Sequence, residues 1–335
     1  MKILVTGGTG FVGSNLTPRL RELFQHPEHE VWTCSRLRVP SCVRPEDSLA
    51  DFVYHTAIGD DRIWHCQPSL KHYQLDLSYA PAVESMMERL KPDAVVHLAA
   101  NAIGRADSKD PWRVWQDNVV STHHLLHNAI KGCRFIFSSS IVVYGTPHVV
   151  WPSPSEEDRT FPTSVYGTTK LACENLINIY NGLGDIRGVN LRFPAMVGRG
   201  LTHGVVKAFV DKLYTYDDVL TMIGDCPGSV KPYLHVDDAI DMIILMLTEK
   251  LDYSGTVNVC PDDELSIDEL ADVVMSGIDI QKPKSWLGSE ANWATDNPIL
   301  KASNGLAKVL GWNPQYLHSS KAIAQAVKTI HEEES

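Results

Sequence analysis

A glycine-rich turn between a short apolar run and a helical run constrains this chain more than any other feature. The first residues read MKILVTGGTGFVGSNLTPRL, with Gly7, Gly10 and Gly13 spacing the turn after the β-branched run KILVTG. Glycine lets a backbone turn tightly and approach a pyrophosphate, whose charge the following helix N-terminus stabilises. A GxxGxxG spacing alone is common; at the first strand–helix junction of an alternating chain it points to a dinucleotide. The alternation is present. HEVWTCSR, HYQLDL, DAVVHLAA and RFIFSSS read as strands, while SNLTPRLREL, APAVESMMERL and DPWRVWQDNVVSTHHLLHNAI read as helices. Strands and helices of these lengths in turn imply βαβ units and an α/β fold with a parallel sheet.

Between residues 40 and 75 the chain is irregular, with one short strand at FVYHTAI. Beyond residue 185 the pattern loosens. GVNLRFPAMVG reads as a strand, and the helical runs VVKAFVDKL, DDAIDMIILMLTE and SIDELADVVMSG interleave with the strands VLTMIG, PYLHV and TVNVC. No repeat or linker separates the halves. The expected organisation is a cofactor-binding domain over residues 1–185, with a return segment near 230–250, and a smaller interwoven substrate domain over 186–335. Only the terminal HEEES looks frayed.

A net charge of −11, from 41 acidic and 30 basic residues, argues against a nucleic-acid partner, which a basic stripe would announce. A few local cations and N–H groups still suffice for a diphosphate. Seven cysteines without a CxxC pair fit neither a disulfide framework nor a zinc site, and His123 and His124 have no metal-ligand partners at useful spacing. No metal is expected. The start carries no secretory pattern and no apolar stretch approaches a membrane span, so the expected setting is a reducing cytoplasm without membrane contact.

The stretch TSVYGTTKLACENL sets Tyr166 four residues before Lys170 at a helix start. Positions i and i+4 share a helix face, so phenol and ammonium address one point. A free phenol, with a pKa near 10, is a poor base at neutral pH; an adjacent cation stabilises phenolate and makes it a usable acid/base. A lone YxxxK also arises by chance. At the end of the second strand, where an NAD site wants a carboxylate on the ribose 2′-hydroxyl, the chain has Cys34-Ser35-Arg36. A hydroxyl and an arginine there favour NADP over NAD slightly, unless Arg36 merely covers the adenine or faces solvent.

With the glycine loop, SSSIVVYG and YxxxK together, the sequence resembles the extended short-chain dehydrogenase/reductases, and within them the nucleotide-sugar epimerase/dehydratase group. DL at Asp76 and Leu77, HLAA at 97–100, Asn118 in DNVVST, and the segments KPYLHVDDA, WATDNP and LGWNP carry the resemblance over nearly the whole chain. It implies a Rossmann-type doubly wound parallel sheet and a nucleotide-diphosphate sugar held in the cleft beside the smaller domain. It assigns Ser140, Tyr166 and Lys170 to catalysis: Tyr166 as acid/base, Lys170 on the nicotinamide ribose lowering the phenol pKa, and Ser140 on the reacting hydroxyl. For NAD(P) it points to Gly7, Gly10, Phe11, Val12, Gly13, Ser35, Arg36, Asp76, Leu77, Leu98, Ala99, Ala100 and Ser138, with Tyr166 and Lys170. For the sugar nucleotide it points to Ser139, Ser140, Tyr166, His203 and Lys231. Trp293 and Asp296 are weaker candidates for closing over substrate.

Departures narrow the reading. Ile141 and Val142 stand where the dehydratases place an Asp-Glu pair, which argues against a 4,6-dehydratase. Ala195 stands where the group often has a substrate-contacting Asn, and Lys231 replaces an Arg on the diphosphate; a lysine can act there only as a point charge. His235 reads as a satisfied core histidine, and Asp237 and Asp238 as a favourable helix start. The expected activity is epimerisation by transient oxidation at C4 of the sugar. The alternatives are an NADPH-dependent 4-keto-sugar reductase and a non-catalytic cofactor-binding protein. A homodimer through the helices at 110–131 and 165–181 follows by resemblance.

Overall fold

The structure is a computed structural model that describes residues 1–36, 53–55, 64–67, 71–102, 110–145, 153–215, 217–288 and 297–334, with 53–55, 64–67 and 333–334 as backbone only. In chain order the first half comprises β1 (Lys2–Thr6), α1 (Phe11–Leu23), β2 (Glu30–Ser35), β3 (Val53–His55), β4 (Trp64–Gln67), β5 (His72–Gln74), α2 (Ala80–Leu90) and β6 (Ala94–His97). Then follow α3 (Pro111–Trp115), a π turn (Gln116–Val120), α4 (Ser121–His127), β7 (Cys133–Ser140), a 3-10 turn (Ile141–Tyr144) and α5 (Val165–Gly182). The second half comprises β8 (Ile186–Phe193), β9 (Ala195–Val197), α6 (Val205–Leu213), β10 (Leu220–Met222), β11 (Val230–Lys231), β12 (Tyr233–His235) and α7 (Val236–Thr248). It ends with β13 (Gly255–Asn258), β14 (Leu265–Ser266), α8 (Ile267–Gly277), β15 (Lys284–Trp286), α9 (Gly305–Val309) and α10 (Ser319–Glu334).

The main sheet runs β13, β8, β7, β6, β1, β2, β5, β4, β3. The seven strands from β13 to β5 are parallel, and β4 and β3 extend one edge antiparallel. This is the Rossmann-type doubly wound sheet expected. Both faces are covered, which is why β1, β6 and β7 are near-continuous apolar runs rather than alternating ones. One face packs on α1 and α7 through Leu16, Leu20, Ile240 and Ile243; the other packs on α2, α4 and α5 through Val83, Met86, Leu125 and Ile177. The chain leaves β1 toward β2 on one side and returns as β6 on the other. The order reverses there, and a crevice opens beyond the strand ends at such a switch point.

Two expectations need correction. Strand Ile186–Phe193 does not open the smaller domain: it pairs along its whole length with Cys133–Ser140, and β13 pairs with it in turn. A strand with seven of eight residues buried needs the sheet's two covered faces. The terminal residues also do not fray as a unit, because α10 runs to Glu334. Ala322, Ile323, Ala326, Val327 and Ile330 repeat at helical spacing and pack on α8 and α6 in a second apolar core. Leu220 and Met222 of β10 and Tyr233 of β12 join that core.

Candidate active site

The glycine turn closes on the end of β6. Gly7 adopts φ +70°, and a Cβ there would lie 2.8 Å from the Ala99 nitrogen; one on Gly13 would lie 2.2 Å from the Gly7 carbonyl oxygen. Only hydrogen at these positions lets loop, helix and strand end meet. The α1 N-terminus has no side-chain cap, which leaves its first N–H groups for an anion. Beneath the turn, Thr6 Oγ1 bonds His97 Nδ1 at 2.7 Å and accepts from the Ala99 N–H, and His97 Nε2 meets Thr122 Oγ1 at 2.9 Å. Burial, and then the charge of Lys170, push the His97 imidazole down to about 3, so it serves as a neutral bridge.

These ends frame a cleft of about 410 Å³. Of the expected cofactor residues, Gly7, Gly10, Ser35, Arg36, Asp76, Leu77, Leu98, Ala99 and Ala100 line it; Thr9, Leu75, Asp117 and Ser121 join them. Phe11 and Val12 turn their side chains into the apolar core instead. A turn that admits no Cβ, a helix start without a side-chain cap and aliphatic strand ends suit the adenosine and diphosphate of a dinucleotide.

The cleft rim is ionic. The Asp117 carboxylate, 5% exposed, receives Arg36 Nη1 at 3.2 Å, Arg113 Nε at 2.9 Å and Asn101 Nδ2 at 3.0 Å. Arg113 also reaches Asp76 at 2.8 Å. Burial pushes the Asp76 carboxyl up, but the Ser78 hydroxyl and N–H and Arg113 outweigh it and hold it below the usual range. Arg36 therefore does not stand open for a 2′-phosphate, as the strand-end residues suggested. Its partner comes from a helix far along the chain.

Beyond the strand ends lies the second cluster. Ser164 caps α5 by accepting from the Gly167 N–H at 3.1 Å, so Tyr166 sits in the first turn and Lys170 one turn on. Lys170 is 2% exposed. Its Nζ donates to the Ser138 carbonyl at 2.7 Å and lies 5.6 Å from the centre of the Tyr166 ring. Ser140 Oγ, at the end of β7, accepts weakly from the Val142 N–H at 3.4 Å. Burial raises the Tyr166 phenol to about 12 and lowers the Lys170 ammonium to about 8. In each case desolvation disfavours the charged form, so the phenol stands above its ordinary value rather than lowered as the i, i+4 spacing suggested.

Ser139 departs from its expected substrate contact. Alternation along β7 sends its side chain to the face opposite Ser138 and Ser140, where its hydroxyl donates a short hydrogen bond to Glu174. Glu174 is held on two edges by Arg192, at 2.9 and 2.7 Å. Arg192 continues to the Tyr144 hydroxyl at 2.7 Å, which donates to Asn258 at 2.8 Å. Sequence reading missed this network. Its signals were Glu174 four residues after Lys170 on one helix face, and an arginine inside an apolar strand.

Other expected residues fall as follows. Asn118 receives the Asn101 N–H at 2.7 Å and donates to Thr169, tying the cleft loop to α5. His203 is exposed before α6 and Lys231 lies in β11, on elements other than those of the Ser140, Tyr166 and Lys170 group. His235 caps α7, while Asp238 is fully buried and accepts from the Gln315 and Tyr316 N–H groups. Trp293 and Asp296 lie outside the described residues. Among the described residues no group of three or more His, Cys, Asp or Glu side chains suits a metal.

Comparison with known proteins agrees with this geometry. The chain is 30% identical to D-erythronate dehydrogenase of Haemophilus influenzae over 64% of its own length and 61% of the relative's. It is 26% identical to UDP-glucose 4-epimerase of Halalkalibacterium halodurans over 94% and 91% of the two chains. A crystal structure of UDP-galactose 4-epimerase superposes with a TM-score of 0.77 at 27% identity, covering 99% of each chain. The sequence profile of the NAD dependent epimerase/dehydratase family matches residues 3–260, and the chain belongs to that family.

Proposed function

We propose that this chain is a nucleotide-sugar epimerase that inverts the sugar by transient oxidation at C4, using NAD held in the glycine-turn cleft. The observation that carries the reading is Tyr166 and Lys170 one turn apart on α5, with Lys170 Nζ on the Ser138 carbonyl of the strand that ends at Ser140. Gly7, Gly10, Asp76 and Leu98–Ala100 would hold the dinucleotide. Bound NAD supplies a hydride acceptor and a positively charged ring, while the protein supplies placement and electrostatics.

Oxidising C4 requires its hydroxyl to lose a proton. Tyr166 in its phenolate form takes that proton, becoming the neutral phenol, and Ser140 holds the oxygen in place. The Lys170 ammonium is the chain's own group for stabilising the phenolate. When the sugar is reduced on its other face, Tyr166 returns the proton. Trp112, Ile179 and Leu183 leave apolar surface exposed on α3, α5 and just past its end, in keeping with a homodimer through these helices. Light scattering on the purified protein tests that assembly. Among the described residues no helix is long and apolar enough to cross a membrane.

The test is to incubate the protein with UDP-, dTDP- and GDP-hexoses and follow the anomeric signals by NMR. The expected result is interconversion of C4 epimers without net nicotinamide turnover, a C4 deuterium label being retained. The second reading, a dehydrogenase or 4-keto-sugar reductase using the same three residues in one direction, is favoured by the likeness to D-erythronate dehydrogenase. Stoichiometric consumption of nicotinamide cofactor without epimer exchange would establish that reading instead.

A further inference from the structure

We propose that Asp117 sets the dinucleotide preference of the cleft, by holding Arg36 so that a cofactor with a free 2′-hydroxyl is accepted over one with a 2′-phosphate. The proposal rests on the cofactor reading above and deepens it. Among the described residues, the end of β2 offers Ser35 and Arg36, a cation where a phosphate would want one. The carboxylate that answers it arrives 81 residues later in the chain. It is delivered by the π turn Gln116–Val120, a helix irregularity often found at functional sites. There Asp117 and Asn118 are both buried, Asp117 toward the cleft rim and Asn118 toward α5.

Charge and burial then decide. Arg36 is half exposed, whereas the Asp117 side chain is 5% exposed, so the carboxylate depends on its partners more than the guanidinium does. Both Asp117 oxygens meet Arg36 Nη1, at 3.2 and 3.3 Å. Arg113 bridges Asp117 and Asp76. Among the described residues, two guanidinium groups and two carboxylates balance at this rim. A 2′-phosphate entering it meets two carboxylates beside the two guanidinium groups, and competes for Arg36 with a buried anion that already holds its Nη1. A hydroxyl is neutral and can donate to a carboxylate, so it incurs neither cost.

The test uses full-length protein and measures NADH and NADPH affinities by nicotinamide fluorescence, without any sugar. Wild type is expected to prefer NADH. Asp117→Asn removes the anion and frees Arg36, and should shift the affinity ratio toward NADPH by about tenfold or more. Adding Arg36→Leu should abolish that gain. Wild type preferring NADPH, or Asp117→Asn leaving the ratio within about twofold, overturns the proposal. Should Asp117→Asn fail to fold, Arg36→Leu alone decides. A ratio changed less than about twofold supports the clamp, and a loss of NADPH preference of about tenfold shows Arg36 already on the phosphate and overturns it. Lack of turnover on every nucleotide sugar would sink the epimerase reading and leave this test intact; a protein that binds neither dinucleotide sinks both.

Discussion

The two clusters, one at the cleft rim and one at the end of β7, treat a cation in opposite ways. At the rim, half-exposed Arg36 meets a buried carboxylate, and among the described residues two guanidinium groups face two carboxylates. At the strand end, Lys170 is buried with a neutral carbonyl on its Nζ, while Glu174, one turn further along α5, is taken up by Arg192 and Ser139. The first arrangement is settled before any ligand arrives. The second keeps an ammonium desolvated, and its energy changes most when a neighbouring charge appears. On the proposed function, charge is matched where a cofactor would be held and left unmatched where a proton would move.

The largest expected effect comes from removing the proton carrier at the unmatched end. Tyr166→Phe should lower kcat by about 10² to 10⁴-fold in the NMR epimerisation assay, with NADH affinity within about twofold of wild type. Retention of wild-type turnover would dissolve the contrast between the two clusters. Next in size, Arg192→Met strips the buried Glu174 of its guanidinium and should cost about 3–5 kcal/mol in urea unfolding. A smaller loss would show that Glu174 can turn to Lys170 for its charge partner.

The pH dependence of stability reads the Lys170 cost itself. The ammonium titrates at about 8 in the folded chain against 10.5 ordinarily. Below about 8 both states hold the proton, and the folded state carries the full desolvation cost. Between these values the unfolded chain holds more protons, so this group's contribution to stability improves as pH rises. Wild type should therefore gain on Lys170→Met, whose profile lacks the group, least at pH 7 and most near pH 10 in denaturant midpoints. A difference that does not vary with pH would show that Lys170 is not held at a desolvation cost. The smallest effect is expected at Ser139, which faces away from the cleft: Ser139→Ala should cost about 1–2 kcal/mol of stability while kcat stays within about threefold. A large kcat loss there would restore Ser139 to the substrate side.

Local periodicity made much of the fold legible. The glycine turn, the alternating strands and helices, and the Tyr166–Lys170 face all follow from backbone geometry that acts within a few residues. The helix 319–334 carried the same kind of signal in Ala322, Ile323, Ala326 and Val327 and was simply not read. The place of Ile186–Phe193 was less accessible, because an apolar strand announces burial without naming its neighbour.

What a side chain of known type would do depended on contacts distant in sequence. Arg36 reads as a phosphate ligand until Asp117, 81 residues away, is folded against it. Ser139 reads as part of a serine-rich pocket until the pleat of β7 turns it toward Glu174, 35 residues on. Lys170 reads as a cation set to lower a phenol, but the burial that raises that phenol is not written in their spacing. Element type and the spacing of reactive groups are written in short-range pattern, since backbone dihedrals respond to neighbours. The charge state and allegiance of those groups belong to the tertiary structure, since Coulomb energy and desolvation depend on distance and burial in space rather than on order in the chain.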